Sequence, residues 1–255
     1  MIMNKQKYMC ADSIEGIFSA IYNIYLAVSK HETSHDSCEV QAGPIGNFEL
    51  FTEYVDVETN AENALKVTNT IIKSMGFEAY EYFLYAAVSN DDRKANAIYN
   101  CIRKGLKQPR ILENYSDRDA SVIQELYKKS HNEFCRWREF LQFSELENGV
   151  LFSKIGPTCD ILMLLAPHFS DRFPNENFMI YDEFRDKYLV HEKQKPCAIV
   201  YGNGKAPDFI ESSAESHYKN LFITFTKSIA IKERMNHALQ QQLMPLRIQK
   251  YKVEF

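Results

Sequence analysis

No two of the six cysteines (Cys10, Cys38, Cys101, Cys135, Cys159 and Cys197) stand close enough to form a CxxC pair. That spacing excludes a zinc ribbon and the tight cysteine cluster of an iron–sulfur centre. Scattered single thiols fit a reducing cytosol, where they serve as small core residues. The sequence also lacks an apolar run long enough to cross a bilayer. Ile17–Val28 follows Lys5 and Lys7 and superficially resembles a signal segment, but Glu15 stands beside it and Asn23 inside it. It is too short to span and reads as a buried helix. There is no internal repeat and no low-complexity tract, and Gly202-x-Gly204-Lys205 lacks the spacing of a phosphate-binding loop. Nor is there a basic excess. A net charge of −4 and a pI near 6.0 exclude tight non-specific nucleic-acid binding by the whole surface and leave only local basic patches.

What is present is apolar material in quantity. The chain has 255 residues, 45% hydrophobic and 13% aromatic, enough for a sizeable core. The expected fold is α+β. A mainly helical N-terminal part is followed by an antiparallel sheet with a crossing helix, closed by C-terminal helices. We expect a single domain over 1–255, with sub-parts 1–138 and 139–255. Asp12 with Glu15 three residues on predicts a capping box for the first helix. The segment His31–Asn63 carries eight acidic residues and no Lys or Arg; its first half reads as loop and "FELFTEYVDV" as a strand. Helical periodicity then runs from about 61 to 137, broken near Gly76, Ser89-Asn90 and Gln108-Pro109. From Phe140 the texture changes. "FLQFSEL", "GVLFSKI", "NFMIYDE", "DKYLVHE" and "PCAIVYG" are short, β-rich and separated by turn residues, with one helix interposed over about 160–173. A further helix is expected from Ser213, and Asn236 suits the N-cap of a short last helix that stops before Pro245.

Several residues carry possible chemistry. "HETSH" (His31, Glu32, His35) matches the zinc-hydrolase spacing, which on a helix sets two histidines one turn apart beside a glutamate base. Thr33, Ser34, Asp36 and Ser37 are poor helix-interior residues, so a solvated loop is the better expectation and no metal is assigned. In the interposed helix, Leu162, Leu165, Phe169 and Phe173 share an apolar arc. Arg172 lies roughly 65° and His168 roughly 105° from its centre, with Asp171 further round. These three polar residues form one edge beside the core, either a structural ion-pair set or a cleft-facing group. "CRWREF" places Arg136 and Arg138 around the only tryptophan, a combination suited to phosphate and base contacts, or else a core Trp with solvated arginines. Lys232, Arg234 and Arg247 lie in a stretch, Lys227–Lys252, with six basic residues and one acid. They could bind phosphate or pair with the acidic His31–Asn63 segment.

"SIEGIFSAIY", "FLQFSELENGVLFSKIGPTCDILMLLAPHFSDRFPNENFMIYD" and "IAIKERMNHALQQQLMPLR" together resemble an uncharacterised bacterial family labelled "probable DNA metabolism protein". The resemblance covers most of the chain and is strongest from Phe140 to Asp182. Phe140, Gly149, Asp160, Pro167, His168, Phe169, Asp171, Arg172 and Phe173 look like the family's core signature. Arg234, Asn236, Pro245 and Arg247 look like its C-terminal one. "HETSH" lies outside that pattern. The resemblance implies linkage with a radical-SAM protein of DNA modification or repair, and some relatives carry a fused uracil-DNA-glycosylase-like domain.

Residues and resemblance together give two expectations. The first is a cytoplasmic accessory protein of DNA modification or repair. It would have a radical-SAM partner and nucleic-acid contacts through Arg136, Arg138, Arg234 and Arg247, and it implies no cofactor and no membrane. The second is an enzyme acting on DNA or a nucleobase, in which His168 is the acid/base, Asp171 orients it, and Arg172 holds phosphate or stabilises an oxyanion.

Overall fold

A computed structural model describes residues 5–44, 48–204, 209–229 and 236–253. The fold is α+β, and the chain divides into two compact units, Met1–His131 and Asn132–Phe255. Among the described residues no helix is long and apolar enough to cross a membrane.

The first unit contains a parallel sheet beneath helices. Strand β1 (Lys5–Cys10) leads into helix α1 (Ile14–Ser29), followed by β2 (Cys38–Ala42) and β3 (Thr52–Asp56). β1 lies between the other two and pairs with both in parallel. Parallel neighbours need a crossover, and α1 supplies it between β1 and β2. The turn into α1 is tight. A Cβ at Gly16 would stand 2.4 Å from the Ala11 carbonyl oxygen, so only glycine fits there. The N-cap falls one residue later than expected. Ser13 has extended backbone and accepts the Gly16 N–H at 3.0 Å. Asp12 instead meets the buried Lys94 Nζ at 2.5 Å, and Lys94 also donates to the Ser89 carbonyl.

Helices α2 (Ala61–Met75), α3 (Phe77–Ala87), α4 (Lys94–Gly105) and the start of α5 (Arg118–Phe140) follow. Gly76, at φ 94°, separates α2 from α3 as the sequence predicts. Ile17, Ile21 and Ile24 of α1 are buried with Ile71, Phe83, Ile98, Ile102 and Ile123 of the neighbouring helices. The acidic segment is answered locally. Glu39 and Glu49 pair with Lys5 (2.9 and 2.7 Å), Glu49 also with Lys7, and Asp36 with Arg103 at 2.7 Å.

The second unit holds a five-stranded mixed sheet in the order β4 (Ser144–Glu145), β5 (Leu151–Ile155), β6 (Phe178–Asp182), β7 (Lys187–His191) and β8 (Ala198–Tyr201). Its strands are those expected. Three pairings are antiparallel, but β5 and β6 run parallel, because helix α6 (Leu162–Arg172) between them is a crossover that returns the chain in the same direction. α6 buries Leu162, Leu165, Ala166 and Phe169 and carries Pro167 in its interior rather than ending there. Helices α7 (Ser213–Ile229), α8 (His237–Leu243) and α9 (Leu246–Gln249) complete the unit. Asn236 caps α8 by accepting the Leu239 N–H at 3.0 Å, and the helix stops before Pro245, both as expected. Trp137 is buried with the Tyr251 ring edge-on at 5.3 Å.

One buried carboxylate joins three parts of this unit. Glu133, on the last part of α5, is 2% exposed. It accepts the Thr158 N–H at 2.9 Å, the Thr158 hydroxyl at 2.6 Å and the Cys159 N–H at 2.9 Å, and its other partner is the Arg247 guanidinium of α9 at 2.9 Å. Burial pushes the Glu133 carboxyl upward. The donated hydrogen bonds and the Arg247 charge outweigh it, and the group ends below its ordinary value.

Glu133→Gln, which keeps the shape but sets an amide NH₂ among donors, is expected to cost about 1–3 kcal/mol in denaturant unfolding. Arg247→Ala should cost less, about 1 kcal/mol, because that guanidinium is more than a third exposed. The Glu133 contribution exists above the unfolded carboxyl value and is lost as pH falls through the lower folded value. The Gln variant should therefore lose less stability than the parent on acidification, which thermal melts between neutral and acid pH will check.

Candidate anion-binding site

The loop held by Glu133 leads directly into α6, which presents His168 and Arg172 one helical turn apart on the same edge. The last turn of α5 contributes Arg138. These three side chains line one concavity of about 380 Å³, built within the second unit. Its apolar wall includes Phe143, Phe169 and Phe173, and one acid, Glu139, also lines it. The aromatic wall is braced. Phe143 meets Phe169 and Phe173 edge-to-face at 5.4 Å each, and Phe178 at 5.7 Å.

The cationic side of the cavity is uncommitted. Arg172 forms no ion pair among the described residues; its guanidinium lies 5.6 Å from the Phe173 ring centre. Arg138 reaches Glu139 only at 4.0 Å and lies 5.4 Å from the Phe134 ring centre. His168 is half-buried, and burial lowers its pKa first. The Arg138 and Arg172 charges push the same way and outweigh the opposing effect of Asp171. At neutral pH the site therefore presents a neutral imidazole between two fixed positive charges, an arrangement suited to a small oxyanion such as phosphate.

The other expected residues are placed differently. Asp171 is exposed, does not line the cavity and has no hydrogen bond to His168. Arg136 is half-buried, outside the cavity and without an ion pair among the described residues. Trp137 between the two arginines is a core residue. Arg247 is tied to Glu133, an internal pairing rather than a free cation. Arg234 and Lys232 lie outside the described residues. "HETSH" is not helical. His31 has φ 61° in a turn after α1, and His35 opens a short 3₁₀ turn, its Nδ1 2.8 Å from the Tyr99 hydroxyl. The two histidines are thus not stacked one helical turn apart. Among the described residues no group of three or more His, Cys, Asp or Glu is placed to hold a metal ion.

Sequence reasoning missed Phe143 and Phe173 as cavity wall, since aromatic residues at helix ends and strand starts read as core. The usable signal was their position in the chain: Phe173 directly follows Arg172, and Phe143 lies five residues after Arg138. Residues 92–254 match the family described as a domain of unknown function, DUF4130. The chain belongs to this family. The matched region takes in the whole cavity and the Glu133–Arg247 pair, and leaves out the parallel sheet of the first unit. No match to a curated protein was found.

In an NMR titration the His168 imidazole should take up its proton below the ordinary histidine range. Arg172→Ala should move that midpoint up, and saturating sulfate should do the same. A base whose folded pKa is lowered adds no stability above its unfolded value and subtracts it as pH falls toward the folded one. Arg172→Ala should therefore also reduce the loss of stability just below pH 6.5.

Proposed function

We propose that this protein is a cytoplasmic accessory protein of DNA modification or repair, acting with a radical-SAM partner and contacting nucleic-acid phosphate through the cavity of its second unit. The observation that carries this reading is the convergence of Arg138, His168 and Arg172 on one concavity, with neither arginine held by a close carboxylate. Arg guanidinium forks match phosphate oxygens, and a site of this charge inside a chain of net charge −4 is a local one. DNA, rather than some other phosphate compound, is favoured by the resemblance of Phe140–Asp182 to proteins of DNA metabolism. The radical-SAM partner rests on that resemblance alone.

A second reading, an enzyme acting on DNA or a nucleobase, is favoured by His168 in the cavity, whose lowered pKa leaves the imidazole unprotonated at neutral pH. Its weakness is Asp171, which stands outside the cavity and leaves the orienting role unfilled.

Fluorescence anisotropy with labelled DNA at low salt tests the first reading. Binding should weaken as salt rises. The Arg138→Ala, Arg172→Ala double variant should lose about tenfold or more in affinity, with the salt slope falling by roughly two phosphate contacts. No DNA binding at low salt, together with no co-purification of a radical-SAM protein, would remove it. A His168→Ala variant that keeps DNA affinity but loses biological function would favour the enzyme.

A further inference from the structure

The charged rim accounts for only half of this cavity. Phosphate contacts alone need no aromatic wall. Here two half-buried rings, Phe143 and Phe173, meet at 78° and form a corner directly beside the guanidinium of Arg172. Phe143 cannot swing away, because Phe169 and Phe178 brace it from the core. A rigid aromatic corner next to two arginines is complementary to a flat π-system joined to a phosphate. The volume, about 380 Å³, falls at the low end of small-ligand sites and limits the occupant to about one such unit.

We propose that the cavity takes a single unpaired nucleotide, its base against the Phe143–Phe173 corner and its phosphate on Arg138 and Arg172. This rests on the nucleic-acid reading above and deepens it: the site selects nucleotides that are out of the stack. A base paired within a duplex cannot present its face to the corner, so single strands, ends and extruded bases are admitted and continuous duplex is not. His168, on the Arg172 edge, is placed to hydrogen-bond the phosphate or the base edge. The nucleotide could arrive free or within a strand, and the two share this chemistry.

The test uses the full chain with four probes at one salt concentration: a labelled thymidine oligonucleotide, a labelled duplex of equal length, deoxyadenosine monophosphate and inorganic phosphate. The single strand should bind about tenfold or more tighter than the duplex. The mononucleotide should compete with it at concentrations where inorganic phosphate does not. Phe173→Leu should erase most of the single-strand preference while leaving the salt slope unchanged. Should that variant fail to fold, the His168 imidazole resonance of the parent serves instead, and must shift more with the mononucleotide than with phosphate. Equal binding of duplex and single strand, or an intact preference in Phe173→Leu, overturns the unpaired-nucleotide proposal and leaves DNA binding standing. Mononucleotide binding without affinity for any strand supports the pocket and overturns the DNA reading. No binding of any probe overturns both the pocket and the nucleic-acid contact on which it rests.

Discussion

Glu133 is the interaction on which the second unit depends. A carboxylate taken out of water costs several kcal/mol, and that cost is offset only where its oxygens are fully engaged. Here three donors from Thr158 and Cys159 and the charge of Arg247 engage them. The result is a three-way clamp of the last part of α5, the loop entering α6, and α9. Because the loop is fixed, the direction of α6 is fixed, and with it the edge that carries His168 and Arg172. Because α5 is one of the clamped elements, Arg138, little more than a turn beyond Glu133, is set with them. The cavity is an outcome of that clamp, and its own charges are left free for other work.

The distribution of charge follows the same logic. Most basic side chains that could be traced to a carboxylate are neutralised close to home: Lys5 and Lys7 by Glu39 and Glu49, Lys104 by Asp117 and Asp119, Lys154 and Lys250 by Glu183. Exposed pairs of this kind add little stability, yet they cancel fields that would otherwise reach across the surface. Arg172 has a phenylalanine ring rather than a carboxylate as its partner among the described residues, and Arg138 lies over a second ring with Glu139 only at 4.0 Å. A modest pair of charges in otherwise balanced surroundings is a sharper local feature than the overall charge implies.

Much of the second unit was legible in the sequence. The five strands have short β-branched and aromatic cores between turn residues, and α6 shows a clean apolar arc, so their places follow from the pattern, though β4 takes up only Ser144–Glu145 of "FLQFSEL". The parallel pairing of β5 and β6 leaves no mark on the strands themselves; its signal was the helix interposed between them, which makes that stretch a crossover unit. In the first unit β1 and β2 escaped notice. Lys5, Gln6 and Lys7 make β1 look like a polar leader, although Lys7 is buried along its stem and reaches Glu49 at its tip. Of the site, the edge of α6 was predictable from a helical wheel. The role of Arg247 was not, since a cation that answers a buried acid over a hundred positions away looks the same in sequence as one that faces solvent.

Pro167 gives α6 an internal seam. It has no N–H to return to the Met163 carbonyl, so the helix runs through this point with one ladder bond fewer than its length would allow. The seam falls between the turn anchored through the Glu133 loop and the turn that carries His168 and Arg172. The first half of the helix is thus foundation and the second half is a charged tip, joined by a weaker backbone than either has within itself. The seam thus sets the backbone carrying His168 and Arg172 apart from the first turn of the helix, while the buried Phe169 ring ties that second part back to the core.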